Sequence, residues 1–134
     1  MRLRIYLSVP IVANRDANRA RAMAEAIRDS GHEVSSPWVL GPTERHLESS
    51  VDIFQRDRLG VERSDAIVAD VSRPSIGVGM ELMAAYHAGK RIIVTMKRGS
   101  VISGMVAFMA PKELIEFDDE TDLYSSLKSL LERI

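Results

Sequence analysis

The sequence predicts an α/β fold: a doubly wound, five-stranded parallel sheet with helices on both faces. Two patterns predict it. Short apolar runs rich in Ile and Val, without polar alternation, occupy residues 3–9, 66–71, 91–96 and 114–117, as expected of strands covered on both faces. Between them lie segments whose apolar residues recur at helical spacing, with connections short enough to impose right-handed crossovers.

Each element has its own signal. Residues 3–9 form the first strand, with Tyr6 inside it. Residues 16–29 carry Ala20, Met23, Ala24 and Ile27 on one stripe, and Gly31 follows where a C-cap glycine belongs. A weaker strand is expected at 32–35. Residues 37–42 read as a loop, with Trp38 as a partly exposed aromatic or a pocket wall. Residues 43–63 form a mostly polar helix with Leu47, Val51, Phe54, Arg58 and Val61 roughly on one face. Strand 66–71 leads to a helix at 79–88, rich in small and apolar residues. Strands 91–96 and 114–117 follow, and a helix at 122–133 turns Leu123, Leu127, Leu130 and Leu131 inward. The expected strand order is the flavodoxin-like 2-1-3-4-5, with residues 1–134 as one domain.

Composition narrows the class of function. The 134 residues carry a formal net charge of −1, with 28% charged and 46% hydrophobic residues, which is ordinary globular composition. No basic stripe marks a nucleic-acid partner. With no cysteine, disulfides, thiol catalysis and cysteine zinc sites are excluded. No apolar run approaches the ~20 residues of a membrane helix, and the N-terminus reads as a strand rather than a signal segment. A cytoplasmic location is expected. The three histidines, His32, His46 and His87, show no metal-ligand spacing and read as surface or helix residues. Neither a P-loop nor a Gly-x-Ser-x-Gly motif is present.

In a doubly wound sheet, ligands sit beyond the carboxyl ends of the strands at the topological switch point. Three segments leave strands there: 6–15, 70–81 and 97–105. The second is the most informative. Pro74 and Ser75 start a turn, Gly77 and Gly79 let backbone approach a ligand, and a helix N-terminus then offers free N–H groups to an anion such as phosphate. Glu81 lies in the first turn of the expected helix, where an acidic residue is either a group projecting into the cleft or a partner of the helix dipole. Asp57 is the natural second carboxylate, since paired carboxylates divide the labour at a glycosidic carbon; a solvated helix charge paired with Arg56 or Arg58 is the competing reading. Asp65 looks like a turn residue and Asp70 like a strand terminator. Tyr6 in a strand and Ser103 in a Gly- and Ser-containing loop both have ordinary structural explanations.

The string Pro74-Ser75-Ile76-Gly77-Val78-Gly79-Met80-Glu81, with the stretch from Asp57 to Met105 around it, resembles the 2′-deoxynucleoside 5′-monophosphate N-glycosidases, relatives of the nucleoside 2-deoxyribosyltransferases. The resemblance implies hydrolysis of a deoxynucleoside monophosphate to free base and 2-deoxyribose 5-phosphate. Glu81 would be the nucleophile forming a covalent glycosyl intermediate, Asp57 the acid and base, and Tyr6 the residue that positions sugar and carboxylate. It further implies phosphate contacts from Ser75, a homodimer in which Ser103 serves the neighbouring active site, and no metal or organic cofactor. The first loop departs from the family pattern: Val9, Pro10 and Val12 stand where members place Gly-Ser and Arg. Ser8, Asn14, Arg15 and Arg19 are the candidates to compensate. Base exchange on deoxynucleosides, hydrolysis of a modified cytidine monophosphate, and a non-catalytic nucleotide sensor are the alternative functions. Trp38 or His46, in the region 37–48, would stack on the base.

Overall fold

A computed structural model describes residues 1–11, 15–41, 49–109 and 112–134. In chain order it contains β1 (Arg4–Ser8), α1 (Ala17–Asp29), β2 (Glu33–Val34), a 3₁₀ turn (Pro37–Leu40), α2 (Ser50–Glu62), β3 (Ala66–Asp70), α3 (Ile76–His87), β4 (Arg91–Lys97), α4 (Gly104–Met109), β5 (Leu114–Phe117) and α5 (Glu120–Glu132). The strands form one parallel sheet in the order β2-β1-β3-β4-β5. The expected architecture and strand order therefore hold.

Strand side chains alternate between faces, and this splits the interior in two. Ile5, Leu7, Ala66, Val68 and Ile93 point to a core closed by α1 and α5 through Met23, Ile27, Leu123, Leu127 and Leu131. Tyr6, Ile67, Ala69, Ile92 and Val94 point to the other face, under Val61 of α2 and Val78, Leu82 and Ala85 of α3. Both layers draw on the same strands, which is why the strands read as continuous apolar runs. Each fully buried Leu or Ile contributes roughly 1.5–3 kcal/mol.

Several boundaries differ from the sequence reading, each for a local reason. α3 begins at Ile76 instead of residue 79, because the Ser75 hydroxyl accepts from the Val78 amide and caps it. α5 begins at Glu120, capped by Asp119. Within 37–42, Pro37–Leu40 winds into a 3₁₀ turn with Pro37 at its start. β2 shrinks to two residues, and the His32 beside it is buried, not on the surface. Its Nδ1 accepts from the Leu3 amide at 3.0 Å and its Nε2 meets the Leu131 carbonyl at 3.1 Å. The short helix α4, without a buried residue, offers no apolar stripe for periodicity to detect.

The helix expected over 43–63 is seen from Ser50, capped by Ser49. Leu47 and the rest of 42–48 lie outside the described residues. Among the described residues its supposed inner face is largely outside: Val51 is 69% and Phe54 50% exposed, while Val61 is the one described residue of that stripe that is buried. The polar face instead turns Asp57 toward α3, against which α2 packs.

Candidate active site

Parallel pairing of β1 beside β3 aligns Tyr6 with Ile67 and Ser8 with Ala69. Tyr6 and Ser8 are two residues apart in a strand, so both project to the α2–α3 side. Glu81 lies on the second turn of α3 and not its first, which removes the simple N-terminal dipole explanation for it. The Tyr6 hydroxyl donates a short hydrogen bond to one Glu81 carboxylate oxygen, and the Ser8 hydroxyl donates to the other at 2.8 Å. Ser8 thus reaches the carboxylate from the strand.

Glu81 and Asp57 line the same two spaces. One is a cleft of about 380 Å³ between α2 and α3, walled by Ile53, Phe54, Val61, Met80 and Ala84. The other is a narrow slot of about 70 Å³ bounded by Tyr6, Trp38, Ser75 and Gly77. Burial raises the Glu81 carboxyl to about 7; the Tyr6 and Ser8 hydrogen bonds oppose that shift, and the Asp57 charge adds to it. Burial likewise pushes the Tyr6 phenol well above its ordinary value, with Glu81 reinforcing the effect. The phenol therefore stays protonated as a donor. Asp57 accepts from the Arg56 Nε at 3.0 Å.

Ser75 joins two regions of the surface. It borders the slot beside Glu81 and also a second cavity of about 330 Å³ that contains Ser103, Arg73 and Gly79. Gly77 and Gly79 lie within α3 with nothing within 4 Å of where a Cβ would stand, so this helix face is open. Ile76 and Gly77 occupy the first two helical positions, whose amides have no intrahelical acceptor. Ser103 is exposed, just before α4. Arg15 is not gathered with these residues: its guanidinium donates to the Val39 carbonyl at 2.9 Å and borders a separate cleft with Ala20 and Arg21. Val12, Asn14 and His46 lie outside the described residues.

Trp38, for which the sequence left the choice between a partly exposed aromatic and a pocket wall, is joined to this site by contacts that the sequence did not reveal. Trp38 packs edge-on to Tyr6, with ring centroids 6.1 Å apart, and the Arg56 guanidinium lies 4.9 Å over the indole. Trp38 is thus a wall of the slot. Gly60 passes so close that a Cβ there would stand 2.7 Å from Tyr6 Cε2 and 3.2 Å from Trp38. A glycine inside a helical pattern was the available signal. Asp70 does more than end β3: it is buried and accepts from Ser72 Oγ at 2.7 Å and Thr95 at 3.2 Å, with Arg19 3.5 Å away. Asp65 is structural, accepting from the Arg4 amide at 2.8 Å. Among the described residues no group of three or more His, Asp or Glu is placed to hold a metal ion, and no helix is long and apolar enough to cross a membrane.

Residues 5–129 match the family model described as nucleoside 2-deoxyribosyltransferase. A Thermofilum pendens protein with the provisional name 2′-deoxynucleoside 5′-phosphate N-hydrolase 1 is 27% identical over 96% of this chain and 95% of its own. The Danio rerio 5-hydroxymethyl-dUMP N-hydrolase is 39% identical over 69 residues, 50% of this chain and 48% of that protein. The fold also matches that of a Clostridium botulinum CMP N-glycosidase, with a TM-score of 0.75 at 17% identity, over 95% of this chain and 98% of the other.

Proposed function

The chain belongs to the nucleoside 2-deoxyribosyltransferase family, and from that premise we propose that it is a glycosidase hydrolysing 2′-deoxynucleoside 5′-monophosphates to free base and 2-deoxyribose 5-phosphate. The observation that carries the proposal is the pair of carboxylates, Glu81 and Asp57, on one slot, with Glu81 gripped by Tyr6 and Ser8. The names of the relatives point to the same bond.

The Glu81 carboxylate attacks C1′ as the bond to the base breaks, and Asp57 gives the departing base its proton. Charge on the oxocarbenium-like sugar is stabilised by the adjacent carboxylate. Asp57 then takes a proton from water as that water attacks C1′, freeing Glu81. The two hydroxyl donors hold the carboxylate in one orientation, so that little freedom is lost on the way to the transition state. Tyr6 also limits the space beside the sugar. The α3 N-terminus and Ser75 receive the phosphate.

The proposal includes a homodimer. Phe54, Met80, Met83, Tyr86, Met105 and Phe108 are all large, apolar and 41–77% exposed, on α2, α3 and α4. A second copy covering them would bring Ser103, at the start of α4, toward the partner's site.

Incubation with each deoxynucleoside monophosphate, followed by chromatography for free base, tests the activity. Glu81→Gln should abolish base release, by a factor on the order of 10³ or more, and unchanged release would remove Glu81 as nucleophile. A second free base added to the reaction separates hydrolysis from transfer, which would yield a new nucleoside. Nucleotide binding with no turnover would replace the enzyme by a sensor.

A further inference from the structure

We propose that Arg56 is a positioning residue of this site, holding Asp57 in place and supplying the positive charge that lets two carboxylates share one slot. The role rests on the hydrolase reading above. Glu81 and Asp57 both border the slot of about 70 Å³, and among the described residues no Lys, Arg or His lines it. Two like charges around so small a space disfavour each other's ionisation. A cation beside the slot is therefore needed if Glu81 is to attack as an anion.

The geometry of Arg56 is not that of an ordinary surface pair. Consecutive helix residues do not face each other, yet the Arg56 Nε reaches Asp57 Oδ1 at 3.0 Å. The side chain lies over the ring of Trp38, its guanidinium 4.9 Å from the centroid, and attraction to the ring face helps to keep it there. Arg58, the other sequence neighbour of Asp57, turns elsewhere, donating to Gln55 at 3.1 Å and to Glu62 at 3.4 Å. The same indole packs edge-on to Tyr6. One ring thus braces both arms of the site: Tyr6, which donates to Glu81, and Arg56, which donates to Asp57.

This arrangement serves both carboxylates. As Asp57 gives its proton to the departing base it becomes an anion, and the guanidinium on Oδ1 stabilises that anion. A carboxylate held by one oxygen also has less freedom to lose on meeting the substrate. At Glu81, burial and the Asp57 charge favour the neutral form, and the Arg56 charge opposes them together with the Tyr6 and Ser8 hydrogen bonds. The titratable or charged groups acting on Glu81 are Tyr6 from β1 and Asp57 and Arg56 from α2. Arg58 lines the wider cleft, and Trp38 brings no charge.

The experiment compares the wild type with Arg56→Met and Arg56→Lys. Carbon-13 NMR of the side-chain carboxyls, with the Glu81 signal assigned through Glu81→Gln, follows its titration from the wild-type midpoint of about 7. Base release from the best deoxynucleotide is measured over the same pH range. Arg56→Met should raise the Glu81 midpoint by on the order of half a pH unit and carry the limb of kcat/KM upward with it. kcat should fall on the order of 10- to 100-fold, while KM changes far less. Arg56→Lys keeps the charge without the planar fork, so it should restore the midpoint and only part of the rate. Asp57→Asn should move the midpoint the other way. A midpoint and limb unmoved in Arg56→Met would overturn the assignment. If the midpoint moves but the wild type releases no base, the hydrolase reading fails and the charge link stands. Circular dichroism and melting of each variant separate a local change from misfolding, and Arg56→Gln carries the same test should Arg56→Met not fold.

Discussion

Glu81 is under two opposed pressures. Burial favours its neutral form, while the Tyr6 and Ser8 hydroxyls favour the carboxylate that a nucleophile requires. With the group near pH 7, base release should rise with pH along a limb centred there. In Tyr6→Phe one of the stabilising donors is gone, so the limb of kcat/KM should move to higher pH; an unmoved limb would mean that Tyr6 does not govern this ionisation. The same shift acts on folding. A carboxyl raised above its unfolded value of 4.5 binds its proton more tightly when folded. Its contribution to stability is therefore full below about 4.5 and declines as pH rises to about 7, by roughly 3 kcal/mol. Urea unfolding of wild type and Glu81→Gln at pH 5 and pH 8 measures it. The wild type should lose more stability between the two than the variant does.

At the scale of elements, α2 owes its position to a missing side chain. Gly60 lets the helix settle against the rings of Tyr6 and Trp38, and Tyr6 is fully buried in β1, so the ring has nowhere to retreat. Gly60→Ala improves helix propensity by about 1 kcal/mol, but overpacking costs roughly 1–3 kcal/mol. Net destabilisation in a melting experiment is expected, with base release reduced more than stability, because the displaced ring is the one that holds Glu81. A variant as active as wild type would show that the ring need not stay where it is. This contact was not legible beforehand, since a mid-helix glycine announces a close approach without naming the partner. Glu81 was legible as a candidate through a specific string, and Asp57 as a second carboxylate with Arg56 as a candidate partner, which the structure shows, whereas Trp38 was not joined to them. The contact of Trp38 with Tyr6 spans 32 residues, and no local periodicity encodes it. The α2 stripe failed for a related reason: helical spacing reports that apolar residues share a face, not what the face meets.

For the whole molecule, continuous strands and a βα alternation predicted the sheet order, because right-handed crossovers and two covered faces leave few arrangements. What such patterning cannot distinguish is a core from a surface between chains. Val51, Phe54, Met80, Met83, Tyr86, Met105 and Phe108 are apolar and exposed, and all lie on α2, α3 or α4, whereas α1 and α5 keep their large apolar residues against the sheet. Such an accumulation supports the homodimer proposed above. If a second copy covers it, folding and pairing are linked, and the melting temperature should rise with protein concentration. Tyr86→Lys, at a position 50% exposed and outside the clefts described around Glu81, puts a charge into that surface on both copies. Sedimentation equilibrium should show a dimer for the wild type and a monomer, or a dimer weakened on the order of 100-fold, for the variant. The helical circular dichroism should be unchanged, and the concentration dependence of melting should vanish with the dimer. A wild type that sediments as a monomer at tens of micromolar would leave these side chains without that explanation, and Ser103 with only its own chain's cavity to serve.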